Sequence, residues 1–447
     1  MSYKPLVLVT APVGTRSGYG AHSRDIVRSL IAMDKFDIKV WPVRWGNTPQ
    51  NALNEQDPYD KPIVERILPN PNMDRQPDIH FHIVVPNEFQ PLGKYNIGIT
   101  AGLETTACPA EWIEGLNRMD LNIVPANFVR QTIVNTKYDK FDQQSKQKIG
   151  EAKSQKPVEV LFEGANTDIY KSTNEFSKEL VDTLGDIEED FCFLFIGHWL
   201  QGGLGQDRKD IGMLIKTFLE TFKNKPKQPA LILKTSGATS CILDREDVMT
   251  KVNQIRSSVK GKLPNVYVLH GDLEDDEING LYNHPKVKAH ISFTHGEGFG
   301  RPLLESSLSG KPVIAPNWSG HIDFLDSDAI LLPGSLNNIK KESFPKNMYV
   351  EGSQWFTVNY NYASKTLKDV FDNYSKYEVK GKKLAIKNEM KFSLDAMTKK
   401  FEEILDKYLP KFENQPTPVD LKLPKLKKVG EVKEKPKIEL PTLKKVN

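Results

Sequence analysis

Two rounds of the same alternation constrain this chain more than any other feature of it. Short apolar runs are separated by longer stretches whose apolar residues recur at helical spacing, the pattern of parallel α/β units. In the first round the predicted strands are residues 5–10, 36–41, 79–85, 96–100, 121–124 and 158–162, with helices over 21–33, 109–118 and 127–135. The Pro-, Asn- and Asp-rich stretch 47–78 reads as loop. The alternation restarts with strands at 191–196, 230–233, 266–269, 287–293, 312–315 and 330–332, and helices at 211–222, 245–259, 275–283 and 302–309. A polar, acidic stretch over 170–190 suits a linker between the two units. Helical patterns at 364–377 and 381–409 follow, the second long enough for two helices, one of them packing back across the first domain. The expected organisation is a first α/β domain over 1–178, a second over 179–378, helices in 379–410 and a tail from 411 to 447. No internal repeat stands out.

Composition narrows the class. With 38% hydrophobic and 27% charged residues in 447, the chain can build sizeable cores, which excludes a wholly disordered or fibrous protein. No run approaches the ~18 apolar residues that span a bilayer. The apolar stretch from Leu6 to Val13 is too short for a secretion signal. Three cysteines, Cys108, Cys192 and Cys241, lie far apart without metal-ligand spacing, which fits a reducing compartment and three buried thiols. These features point to a soluble, cytoplasmic protein.

Charge is distributed unevenly. The last 37 residues hold ten lysines against five acids, so that tail carries +5 and the other 410 residues carry −2. Rich in proline and nearly without aromatics, the tail cannot bury enough surface to offset its ordering entropy, and reads as disordered. A lysine-rich tail suits contact with nucleic acid or an anionic surface, or simply confers solubility.

The sharpest local signal is HGEGFGRPLLE, from His295 to Glu305. It follows a predicted strand and opens a helix with Pro302 in its first turn, where a missing N–H is harmless. Gly310 stands where that helix should stop. Gly296, Gly298 and Gly300 permit close approach of a ligand to the backbone. The N–H groups of Gly300 and Arg301 at a helix start suit an anionic phosphate, to which Arg301 adds a charge-assisted contact. Glu297 and Glu305 can accept hydrogen bonds from vicinal hydroxyls, as on a sugar or a ribose. A tight glycine turn with one solvated and one helix-capping glutamate is the plainer reading of the same residues.

Glu297 and Glu305, seven residues apart within this segment, resemble the E-x7-E signature of glycosyltransferase family 4. Gly310-Lys-Pro-Val-Ile-Ala-Pro and Trp318-Ser-Gly-His-Ile-Asp323 are similar to the strand and loop that follow it in that family. The resemblance covers most of residues 1–410 in organisation and is specific in motif from about Asn265 to Asp323. It implies the GT-B architecture, two Rossmann-like doubly wound domains facing across a cleft. It further implies a UDP- or GDP-linked sugar as co-substrate, transfer to an acceptor hydroxyl with retention of anomeric configuration, and no cofactor or metal. Under this resemblance Glu305 would hold the donor ribose and Glu297 would contact the transferred sugar. The N–H groups of Phe299 and Gly300, with Gly298 in the same loop, would lie near the diphosphate.

Two more patches fall at ends of predicted strands, where open α/β sheets bind ligands. After strand 191–196 comes Gly197-His198-Trp199, then Arg208-Lys209-Asp-Ile-Gly212. Lys209 resembles the family lysine that neutralises the leaving phosphate, or is an exposed lysine at a helix start. The family places an arginine where His198 stands, so a second positive charge would come from Arg208 or Arg301. After the first strand, Gly14-Thr-Arg-Ser-Gly18-Tyr19-Gly20 resembles the family loop under the donor phosphates, with Gly18 or Gly20 as the point of close approach and Tyr19 on the acceptor side. Glu104 occupies roughly the place of a family histidine, as acceptor-site lining or as a plain loop carboxylate. Leu273 falls where the family packs its nucleobase, or is a core leucine. Lys234 ends a strand facing the cleft. Asp326-Ser-Asp328 imitates a metal-binding D-x-D but precedes a strand and reads as a turn, and the nine histidines show no ligand spacing.

Two functions compete at this level: sugar transfer, and non-catalytic binding of a glycan or polymer on a decayed transferase scaffold. His198 and Glu104 favour the second; the joint presence of Glu297, Glu305 and Lys209 favours the first. The segments from Thr15 to Arg24 and from Trp45 to Asn47 are similar to glycosyltransferases of large tailed phages. That resemblance implies a host cytoplasm and puts hydroxymethylated DNA bases among the acceptors, beside a glycan, a lipid-linked sugar or a protein.

Overall fold

A computed structural model describes residues 3–413 except 143, 238–240, 341–342 and 344–348. The tail expected to be disordered lies, from residue 414 on, outside the described residues.

The alternation resolves into two six-stranded sheets, parallel throughout. Strands β1 (Leu6–Ala11), β2 (Asp37–Pro42), β3 (Ile79–Ile83), β4 (Tyr95–Ile99) and β5 (Leu121–Val124) build the first. A hairpin, β6 (Lys137–Phe141) and β7 (Lys148–Lys153), then intervenes before β8 (Val158–Val160) closes the order β2-β1-β3-β4-β5-β8. The second sheet comprises β9 (Cys192–Ile196), β10 (Ala230–Lys234), β11 (Val266–Leu269), β12 (Val287–Ile291), β13 (Val313–Pro316) and β14 (Ile330–Leu332). Its order is β11-β10-β9-β12-β13-β14, the doubly wound arrangement whose ligands gather where the strand order reverses. A second hairpin, β15 (Gly334–Asn338) and β16 (Gln354–Val358), follows.

Helices cover both faces of each sheet, which is why the strands are continuous apolar runs; all six residues of β1 are buried. In the first unit the helices are α1 (Gly18–Met33), the single turn α2 (Lys61–Val64), α3 (Ala110–Arg118) and α4 (Asn127–Asn135). The second carries α5 (Lys178–Gly185), α6 (Ile211–Phe222), α7 (Ile242–Ser258), α8 (Asp275–Asn283) and α9 (Arg301–Ser307). The last helices among the described residues are α10 (Tyr360–Asp372), α11 (Tyr374–Lys391) and α12 (Leu394–Tyr408). Helix α11 rests on α9, Asn388 donating to the Ser307 hydroxyl at 2.8 Å. Helix α12 returns to the first unit, where Phe401 meets Phe81 edge-on with ring centres 5.8 Å apart and Thr398 reaches Ser29 at 2.8 Å.

Several sequence expectations need correction. The linker expected over 170–190 contains α5, capped by the Ser177 hydroxyl, because Leu180 and Leu184 stand one turn apart and are buried. Helix α1 begins three residues earlier than expected: the Ser17 hydroxyl accepts from the Gly20 N–H, so Gly18 and Gly20 belong to its first turn. The stretch 381–409 breaks at Ser393, whose hydroxyl caps α12. Both hairpins escaped the sequence reading. Residues in β6 are exposed or half-buried and those of β15 are exposed, so neither carries an apolar run. Cys108 and Cys192 are buried as expected, but Cys241 is exposed where α7 begins.

Candidate active site between the two sheets

Beyond β12 the chain forms a loop knitted to its neighbours by backbone. The His295 N–H donates to the Arg208 carbonyl at 2.9 Å, and the imidazole stacks on Trp355 with ring centres 4.2 Å apart. The Glu297 N–H donates to the Ser319 hydroxyl and the Gly320 N–H to the Glu297 carbonyl, each at 2.9 Å. Gly298 is required by packing: a Cβ there would stand 2.0 Å from the Ala101 carbonyl oxygen of the first unit. Gly300, at φ +100°, takes the left-handed conformation that starts α9, and Gly310 at φ +78° follows its end. Among the described residues the N–H groups of Gly298, Phe299 and Gly300 have no protein acceptor. The Phe299 ring is turned into the core against Phe324.

Charged side chains meet here in two clusters. In the first, Lys209 donates to Glu297, and the Arg208 guanidinium lies 2.8 Å from Glu104 and 3.5 Å from Glu297. Burial opposes ionisation of Glu297, but Lys209 and Arg208 outweigh it and hold its carboxyl down at about 2. Burial lowers the pKa of Lys209 and raises that of Glu104, each partly offset by the opposite charge beside it. In the second cluster Arg301 spans the units, with Nε 2.7 Å from Glu305 and Nη1 2.5 Å from Asp25 of α1. Burial pushes the Glu305 carboxyl up to about 8 against the pull of Arg301. The two glutamates of the E-x7-E spacing therefore belong to different clusters, each with its own cation. Arg301, expected to face a phosphate, is held by two carboxylates.

The remaining expected residues divide. Tyr19 hydrogen-bonds Thr100 at 2.8 Å and packs on Trp45, bringing α1 to the end of β4. Gly20 is enforced by its own turn, since a Cβ would stand 2.1 Å from the Thr15 carbonyl oxygen, whereas Gly18 faces open space. His198 is exposed, its Nδ1 3.1 Å from the Ser236 hydroxyl. Leu273 is half-buried against the second unit's apolar cluster. Lys234 donates to the Gly271 carbonyl at 2.6 Å. Asp326 and Asp328 both accept from Lys387 of α11, so the D-x-D look-alike tethers a helix.

Asp25 and Glu163 escaped the sequence reading. Asp25 sits mid-helix among residues that pack, with nothing in its spacing to mark it. Glu163 had a signal: a carboxylate directly after a parallel strand's apolar run, on the edge where such sheets bind ligands.

Further contacts tie the units together. Arg16 pairs with Glu274 at 2.7 Å, Asp323 accepts from the Asn127 N–H at 2.8 Å, and Thr106 and Gln354 exchange two hydrogen bonds. The described contacts thus join the carboxyl edges of both sheets across a closed cleft.

This two-sheet arrangement is the GT-B architecture. Solved structures with the same organisation include HepE of Anabaena in complex with UDP-glucose, at 14% identity over 90% of this chain and 100% of that one, with a TM-score of 0.57. A glycosyltransferase from Rickettsia africae gives 14% identity, 91% and 99% coverage and a TM-score of 0.58. Sucrose-phosphate synthase from Thermosynechococcus elongatus gives 11%, 91% and 99% and 0.59. No family model and no curated relative matches this chain.

Proposed function

We propose that this protein is a glycosyltransferase that moves a sugar from a UDP- or GDP-linked donor to an acceptor hydroxyl. One observation carries the reading: Lys209, Arg208 and Glu297 meet beside the unsatisfied N–H groups of residues 298–300, in a cleft between two doubly wound sheets. Cations and bare N–H groups suit a diphosphate, and a carboxylate suits hydroxyls. The UDP-glucose complex of HepE, a structure of the same architecture, supports a nucleotide-sugar as the donor.

On binding, the diphosphate takes over Lys209 and the loop N–H groups, releasing Glu297 toward the sugar. As the donor bond breaks, charge develops on the leaving phosphate where Lys209 and the N–H groups are already placed. Retention of configuration and independence from metal belong to this proposal through the resemblance to family 4. A DNA hydroxymethyl base and a glycan both remain acceptors to be tried. The experiment is a screen of nucleotide-sugars, scoring nucleotide release with and without acceptor panels that include hydroxymethylated DNA. Lys209→Ala should lower turnover by about 10²–10³-fold. Turnover within threefold of wild type would remove Lys209 from the leaving-group site, and failure to bind any nucleotide would overturn the reading.

A further inference from the structure

Glu163 is a carboxylate to which no protein group donates among the described residues. It follows β8 in a segment fixed on its far side by two backbone hydrogen bonds, Ala165 N–H to the Phe392 carbonyl at 2.9 Å and Leu394 N–H to the Ala165 carbonyl at 2.7 Å. Its neighbour Gly164 donates to the Met397 sulfur of α12 at 3.2 Å. The backbone is therefore held, and the residue as a whole is 5% exposed. Among the described residues it makes no hydrogen bond and no ion pair. Its carboxylate oxygens keep access to solvent, so a ligand entering the cleft can complete them.

The surroundings say what that ligand is. Arg301 of α9, Asp25 of α1 and Glu297 of the glycine loop are the charged groups that act on Glu163, and Glu163 in turn acts on the Tyr19 phenol. Arg301 is already claimed by Asp25 and Glu305, so the missing partner must bring its own hydrogen. A diphosphate offers only acceptor oxygens and would be repelled by three carboxylates. A sugar hydroxyl supplies an O–H without charge. Two of the groups acting on Glu163, Arg301 and Glu297, stand on the second unit, which holds the donor in the reading above.

We infer that Glu163 is a sugar-binding residue, its carboxylate accepting a hydrogen bond from a hydroxyl of the transferred sugar across the cleft from Glu297. This rests on the glycosyltransferase reading and adds to it a first-domain contact that selects a glycosyl nucleotide over the bare nucleotide. Burial, opposed by Arg301, pushes the Glu163 carboxyl up to about 7, so the stronger, charged acceptor forms as pH rises through neutrality.

The test compares binding of UDP-glucose with UDP, and of GDP-mannose with GDP, by the purified full-length protein and by Glu163→Gln and Glu163→Ala. For whichever pair the wild type binds, Glu163→Ala should weaken the nucleotide-sugar about 10-fold or more and leave the nucleotide within twofold. The preference of wild type for the sugar form should rise between pH 6 and 8 and be flat in Glu163→Gln, a readout that a merely structural role would not move. The glutamine keeps shape and volume, so it covers the case of an alanine variant that folds poorly. Equal losses for both ligands, or none, would overturn the inference while leaving the glycosyltransferase reading intact. Wild type that binds neither pair would remove both.

Discussion

At the scale of the residue, the closest electrostatic contact of the site is also a structural liability. Lys209 and Glu297 are both buried, and each neutralises the other. Removing one partner strands a charge, a loss of about 3–5 kcal/mol in buried pairs, moderated here by Arg208 standing 3.5 Å from Glu297. Lys209→Met and Glu297→Gln should each lower unfolding free energy by about 2–4 kcal/mol, and the double variant by much less than their sum. Denaturant titration of the four proteins gives the coupling, and additive losses would show that the pair contributes nothing as a pair. This partnership was not legible in the sequence, where the two residues are 88 positions apart. Glycines and carboxylates could be read from their chemistry alone, but which cation meets which carboxylate depends on a sheet edge that only folding creates. The same holds for Arg301, whose position at a helix start suggested a phosphate until Asp25 of the other unit came to face it.

Elements were legible where their pattern was local. Strands β5 and helix α4 match their predicted spans, because an apolar run and a helical repeat each declare themselves within a few residues. The hairpin β6–β7 did not declare itself, since its strands carry lysines and no buried face. Helix α1 was legible in its body and misread at its start, and that start separates two roles for glycine. Gly20→Ala would drive a Cβ to 2.1 Å from the Thr15 carbonyl oxygen, so the turn must shift. A loss of about 2 kcal/mol or more is expected, in the range of other backbone and overpacking lesions. Gly18→Ala meets nothing within 4 Å and should leave the melting temperature unchanged or slightly higher, alanine being the better helix former. If the ligand approaches this turn, the same Gly18→Ala protein should bind nucleotide about 10-fold or more weakly. A stable Gly18→Ala variant with normal affinity would place the ligand elsewhere, and a stable Gly20→Ala variant would mean the turn relaxes freely.

At the scale of the whole molecule, closing the cleft is coupled to protons. Burial holds the Glu163 carboxyl near 7 and the Glu305 carboxyl near 8, well above the ordinary carboxylate value of 4.5. Both lie where the units meet, and separation would return them to water and to ordinary ionisation. The closed form therefore binds more protons than the open form between about pH 4.5 and 8, and linkage requires its advantage to shrink as pH rises through that window. Two ion pairs hold the units against one another, Arg301 to Asp25 at 2.5 Å and Arg208 to Glu104 at 2.8 Å. Small-angle scattering on the ligand-free protein should show a constant, compact radius of gyration near pH 5 and a larger one by pH 9. The double variant Glu163→Gln/Glu305→Gln should remain compact over the whole range, because neither amide can acquire the charge that opposes closure. Asp25→Asn should act the other way, loosening the domains even at low pH, since it removes the carboxylate that Arg301 reaches across the cleft. A radius independent of pH in the wild type would show that the two carboxyl groups titrate without moving the domains. Expansion in the double variant identical to that in wild type would assign the proton linkage to other groups.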